Sequence, residues 1–269
     1  MPIPTHSLTE AAVGVLSTAD AAHKAAASRA AAAAWRDGMI TTIGTTPPPD
    51  RPARPANPEL RRPGDMPRRG AGQSAAGRIA LLHAVAHIEL NAIDLAWDIV
   101  ARFAGDDLPR AFFDDWVRVA DEEAKHFTLL SDRLAALGAT YGDLPAHDGL
   151  WEAAEATAHD LLARLAVVPL VLEARGLDVT PTMIARMTRF GDAETATVLT
   201  AIYEEEIGHV AIGMRWFAHE CARRGVVPEA TWRALVAEHF KGALKPPFNE
   251  DARARAGMGR GYYAAALSR

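Results

Sequence analysis

Cysteine is nearly absent from this 269-residue chain, which carries one, Cys221. A single thiol excludes an internal disulfide framework and any zinc cluster built from several thiolates. It agrees with a reducing, cytoplasmic compartment. Positive charge is in deficit: 29 Lys and Arg stand against 34 Asp and Glu, a formal net charge of −5, so no global field attracts nucleic acid. Long apolar runs are missing as well. Leu165 to Leu172 is the longest serious stretch and contains Pro169, well short of the roughly 20 residues that cross a bilayer. The opening Met1-Pro2-Ile3-Pro4 has neither the basic nor the apolar region of a signal peptide. Alternating β-type runs are absent, which leaves an all-α chain with no membrane partner.

The helical period fills most of the rest. Residues 8–38 read as one alanine-rich helix that packs on the outside of something larger. Residues 44–72 hold Pro47-Pro48-Pro49 and five further prolines, and read as an extended connector. Four long helices are expected after it: Ser74 to Phe103, Leu108 to Leu137, Leu150 to Arg175 ended by Gly176, and Asp192 to Arg224 stopped by Gly225. Thr180 and Pro181 read as the cap and first residue of a short helix between the last two. A further helix runs from Pro228 to about Gly242. The extended Lys245-Pro246-Pro247-Phe248-Asn249 and an arginine-rich, glycine-broken end follow. The expected architecture is a four-helix bundle, 73–269 with its C-terminal extension, on which 1–72 packs within a single domain.

Two segments of this pattern match each other. Asp121-Glu122-Glu123-Ala124-Lys125-His126 and Glu204-Glu205-Glu206-Ile207-Gly208-His209 both read acidic-Glu-Glu-x-x-His. Residues three apart lie about 300° around a helix, so each Glu and its His stack on one face. Those faces are apolar: Trp116, Val119, Phe127 and Leu130 flank Glu123, and Leu199, Ile202, Tyr203 and Val210 flank Glu206. The other two long helices each place one glutamate on such a stripe, Glu89 and Glu173. Spacings of 34 residues from Glu89 to Glu123 and 33 from Glu173 to Glu206 make the core two copies of one hairpin. Four carboxylates and two imidazoles suit two divalent ions, with the charges balanced. Carboxylate and imidazole without thiolate favour iron, with manganese or a mixed manganese–iron pair as alternatives.

This ligand order resembles the ferritin-like di-iron carboxylate superfamily. His83-Ala-Val-Ala-His87-Ile-Glu89-Leu, Glu173-Ala-Arg-Gly-Leu-Asp-Val-Thr-Pro181 and Leu244-Lys-Pro-Pro-Phe-Asn249 are more closely similar to an uncharacterised ferritin-like family, domain of unknown function 455, over about residues 75–260. The resemblance implies a bundle with a metal site and leaves the reaction open. The superfamily's enzymes include a tRNA-modifying hydroxylase, rubrerythrins and manganese catalases. The expected ligands are Glu89, Glu123, His126, Glu173, Glu206 and His209. The expected activity is a di-iron oxidoreductase, an oxygenase or hydroxylase that uses dioxygen or peroxide on a small molecule. A ferroxidase and a peroxide-consuming manganese or iron enzyme are the alternatives. Arginines at 51–69 and 253–260 offer phosphate contacts for a tRNA substrate, against the overall acidity. Tyr203 is a candidate hydrogen-bond or electron donor. His83 and His87 project away from Glu89 and read as packing or surface histidines, and Glu122 and Glu205 as solvated acids. Arg175 and Asp178 read as a charge pair. Phe248 reads as the apolar anchor of a tail that docks near the metal site and narrows access to it.

Overall fold

The computed structural model describes residues 6–62, 65–66, 73–105 and 107–267. Arg68 and Arg69 of the connector, with its other residues at 63–64 and 67–72, and Met1 to Pro4 lie outside them. Among the described residues the chain is all-α, with an isolated parallel bridge between Leu60 and Ala146. It divides into two compact units, Met1–Trp151 and Glu152–Arg269.

The first unit begins with α1 (Leu8–Leu16) and α2 (Ala21–Arg36). The single helix expected over 8–38 is therefore two. Asp20 interrupts it, because its carboxylate accepts the His23 amide at 2.9 Å and caps a new helix. α3 (Ala75–Arg102) and α4 (Arg110–Ala136) form the unit's main hairpin. Ser74 caps α3 through the Gly77 amide. Pro109, lacking an N–H of its own, precedes α4, and Gly138 turns the chain after it with φ 78. α1 packs on α3 and α2 on α4. Small alanines let α2 approach closely enough for Ser28 Oγ to donate to the Ala120 carbonyl at 2.8 Å.

α3 is long and apolar enough to cross a membrane by composition, and two-thirds of its most apolar stretch is buried in the protein. Its buried face also carries Glu89, Asp94 and Asp98. The connector straps this unit: the Ala53 amide donates to the Leu16 carbonyl at 2.7 Å, and the Arg102 guanidinium donates to the Pro49 carbonyl at 3.4 Å. Arg51 pairs with Asp148, and Arg54 with Asp94 at 3.1 Å.

The chain leaves the first unit within α5 (Gly149–Ala156). The continuous helix expected from Leu150 to Arg175 is broken. Asp160 caps α6 (Leu161–Val167) through the Leu162 amide at 3.1 Å, and a π-helix follows at Val168–Glu173. Gly176 does not end the helix. It lies inside α7 (Ala174–Arg189), and so does Pro181, which was expected to open a separate one. α8 (Ala193–Arg224) runs from an Asp192 cap to Gly225 in the left-handed region at φ 67. α9 (Pro228–His239) stops short of Gly242. Two helices absent from the expectation close the chain, α10 (Glu250–Arg255) and α11 (Arg260–Leu267). Gly213 lets the π-helix lie against α8, since a Cβ there would stand 2.5 Å from Pro169 Cβ.

Candidate metal centre

In the first unit, α3 and α4 bring three expected ligands together. His126 Nδ1 stands 3.3 Å from a Glu89 carboxylate oxygen and 3.5 Å from one of Glu123. Ligand atoms of all three lie within 4.8 Å of one another. Glu123 and His126 are fully buried, and Glu89 is 4% exposed. One imidazole nitrogen between two carboxylates in a dry pocket leaves negative charge that burial penalises heavily unless a cation or protons meet it. The flanking apolar residues are core as expected: Trp116 and Phe127 are buried. This buried Glu–His group is able to hold a metal ion. With no thiolate in it, the donor set fits a hard or borderline divalent ion.

The second unit repeats half of this arrangement. On α8, His209 is fully buried and its Nδ1 lies 3.4 Å from a Glu206 oxygen. Glu173 is the last residue of the π-helix, on the segment that packs against α8. A π turn takes in an extra residue and rotates everything after it, a device frequent at functional sites. Here it sets the direction in which Glu173 leaves the helix.

A family model described as a protein of unknown function, DUF455, matches residues 17–264. The chain belongs to the DUF455 family. An uncharacterised protein of Haemophilus influenzae is 43% identical over 211 residues, covering 77% of this chain and 73% of that relative. No solved structure matches.

Other residues of this DUF455 chain fall outside the two ligand groups. His83 and His87 are buried. His83 Nε2 accepts the Gly142 amide at 2.9 Å. His87 Nε2 donates to the His147 carbonyl at 3.0 Å, and its Nδ1 accepts the Tyr141 hydroxyl at 2.8 Å. Burial pushes the His87 pKa down to about 4, so the ring is neutral at pH 7. Glu122 is half-exposed on the wall of a cleft of about 620 Å³ with Trp35 and Arg110, and Glu205 is half-exposed on α8. Arg175 does pair with Asp178, at 3.5 Å, but the stronger partner of Asp178 is Arg253, with two contacts of 2.8 Å.

The tail is held by buried apolar residues, Ala252, Met258, Tyr262 and Tyr263, and also by polar contacts that the sequence did not signal. Phe248 packs on Tyr263 of α11, ring centroids 4.9 Å apart, within the tail itself. Asn249 instead reaches the bundle helices, with its side-chain amide 3.0 Å from the Tyr203 hydroxyl. A second missed group is the buried Lys24–Asp94–Arg54 cluster in the first unit. Its only sequence signal is a lysine on the packed face of an alanine helix and an aspartate on an apolar one.

Proposed function

We propose that this is a ferritin-like protein that binds two divalent metal ions, with Glu89, Glu123 and His126 as the ligands of the first unit and Glu173, Glu206 and His209 as those of the second. The observation that carries this reading is the buried Glu89–Glu123–His126 group, whose composition is repeated in part by Glu206 and His209. Two carboxylates and an imidazole at 0–4% exposure serve no evident purpose in folding, since apolar residues there would pack at lower cost.

The resident ions are iron, with manganese or a manganese–iron pair as the other fits to the donor set. Redox-active ions held there would pass electrons to dioxygen or peroxide, and so activate it. The chain's own residues fix the ions' positions, keep water out through the apolar flanks of Trp116 and Phe127, and leave the carboxylates to take up or release protons. The protein is thereby an oxidoreductase acting on a small organic substrate.

The test is metal analysis of protein purified from its native source, then the absorption spectrum when oxygen meets the ferrous-loaded chain. Two ions per chain, and a spectral change that depends on added substrate, support the reading. Oxidation of ferrous ion with no organic turnover favours a ferroxidase, and rapid peroxide loss a catalase-type enzyme. Turnover of tRNA would identify a hydroxylase of that class. Absence of stoichiometric metal rejects all of these.

A further inference from the structure

Pro181 has no N–H, so the Leu177 carbonyl four residues earlier in α7 loses its helical donor. The tail supplies another. Asn249 Nδ2 donates to that carbonyl at 3.1 Å and to the Tyr203 hydroxyl on α8 at 3.0 Å. The same residue is held from both sides: its Oδ1 caps α10 through the Ala252 amide at 3.1 Å, and its backbone N–H donates to Asp178 at 2.9 Å. Asp178 is in turn clamped by Arg253, which is 3% exposed and lies against the Phe248 and Tyr263 rings.

Leu177 lies one helical turn after Glu173, and Tyr203 one turn before Glu206. One carboxamide thus ties together the two helices beside their candidate ligands. We infer that Asn249 is a positioning residue, which holds the Glu173 and Glu206 turns at the spacing a shared metal ion needs. This rests on the metal-centre reading above. Outer partners of metal ligands commonly change affinity by about 10–100-fold when removed, and a bridge that spans two ligand-bearing helices acts on both at once.

The alternative is that Asn249 only staples the tail. Asn249→Ser separates the two roles. Serine retains the α10 cap and the backbone bond to Asp178 but loses both Nδ2 donations. Tyr203→Phe removes the α8 contact alone. The full-length chain is loaded with Co(II), and its visible ligand-field spectrum and the rate of Co(II) transfer to excess chelator are recorded. The expected result for Asn249→Ser is an altered spectrum with about tenfold faster release, with helix content unchanged and a smaller change of the same sign in Tyr203→Phe. A folded Asn249→Ser chain with wild-type spectrum and release rate overturns the inference, and if that variant does not fold, Tyr203→Phe decides by the same criterion. Should the wild-type chain take up no Co(II), the metal-centre reading fails by itself. Hydrogen exchange of the metal-free chain then judges the bridge: faster exchange over 174–181 and 203–207 in Asn249→Ser retains it as a tie between α7 and α8, and unchanged exchange removes it.

Discussion

Lys24 of α2 and Asp94 of α3 form an ion pair in which neither side chain is exposed to solvent. Lys24 also donates to the Ala53 carbonyl at 3.0 Å, so it joins helix, connector and core. Burial pulls the Lys24 pKa down and pushes that of Asp94 up, while Arg54 and the pair's own attraction work to keep Asp94 ionised. Removing Lys24 leaves Arg54, at 3.1 Å, to offset the buried Asp94 carboxylate alone, which costs more than the pair contributes. Lys24→Ala is therefore expected to lose about 3–5 kcal/mol in urea unfolding. Lys24→Met combined with Asp94→Leu is expected to recover part of that, since Arg54, 19% exposed, keeps its bond to Asn91 Oδ1 at 2.6 Å. A double variant as unstable as the single one would show that the under-compensated Asp94 carboxylate is not the cause.

What the sequence made legible was local. The α8 boundaries follow from Asp192 as cap and Gly225 as stop, and the Glu89–Glu123–His126 group from helical spacing on apolar stripes. What it hid depends on partners far along the chain. Pro181 reads as a helix start because a proline inside a helix leaves a carbonyl unmet, and the group that meets it, Asn249, is 72 residues from Leu177. The π-helix before Glu173 has no comparable local signature. Lys24 finds Asp94 at a separation of 70 residues. A lysine inside an alanine helix looks like any solvated lysine until the fold is known.

Gly213 offers a sharper test of the π-helix contact. Glycine to alanine inside a helix ordinarily gains up to about 1 kcal/mol. Here the new methyl meets Pro169 Cβ at 2.5 Å and Leu170 Cδ2 at 3.3 Å, and both belong to a buried segment. Overpacking of this kind costs about 1–3 kcal/mol. Gly213→Ala should thus lower stability, while Gly176→Ala in α7, with nothing within 4 Å of the added Cβ, should raise it slightly. Equal and opposite thermal shifts from those expected would mean that the π-helix does not lie against α8.

The pH dependence has a defined sign at His87. Its folded pKa, about 4, is below the ordinary value near 6.5, chiefly because the ring is desolvated; Arg54, His83 and His147 add like charge, and the His147 carbonyl partly opposes the shift. A depressed histidine leaves the folded state unprotonated while the unfolded chain takes up a proton. Its contribution is therefore complete above about pH 6.5 and is lost as pH falls toward 4. The loss amounts to about 3 kcal/mol across that window. Urea midpoints of wild type and His87→Gln measured from pH 7.5 to 4.5 should converge as the pH drops. Parallel curves would assign the acid sensitivity to other groups.

Glu123 separates a metal ligand from a folding residue by the sign of one substitution. Glu123→Gln keeps the shape and volume of the side chain and removes its charge. In the metal-free protein, the Glu123 and Glu89 carboxylates crowd the same His126 Nδ1 in a pocket without solvent. Removing the Glu123 charge relieves repulsion, so the metal-free variant should be as stable as wild type or more so. With metal the order should invert. Wild type at 100 times the dissociation constant gains about 2.7 kcal/mol, and a variant that cannot bind two ions gains less. The measurement is thermal unfolding with and without Mn(II), together with counted ions per chain. If Glu123 served only to orient His126 within the fold, Glu123→Gln would be destabilised equally in both conditions and would still retain two ions, and its place among the ligands would be lost.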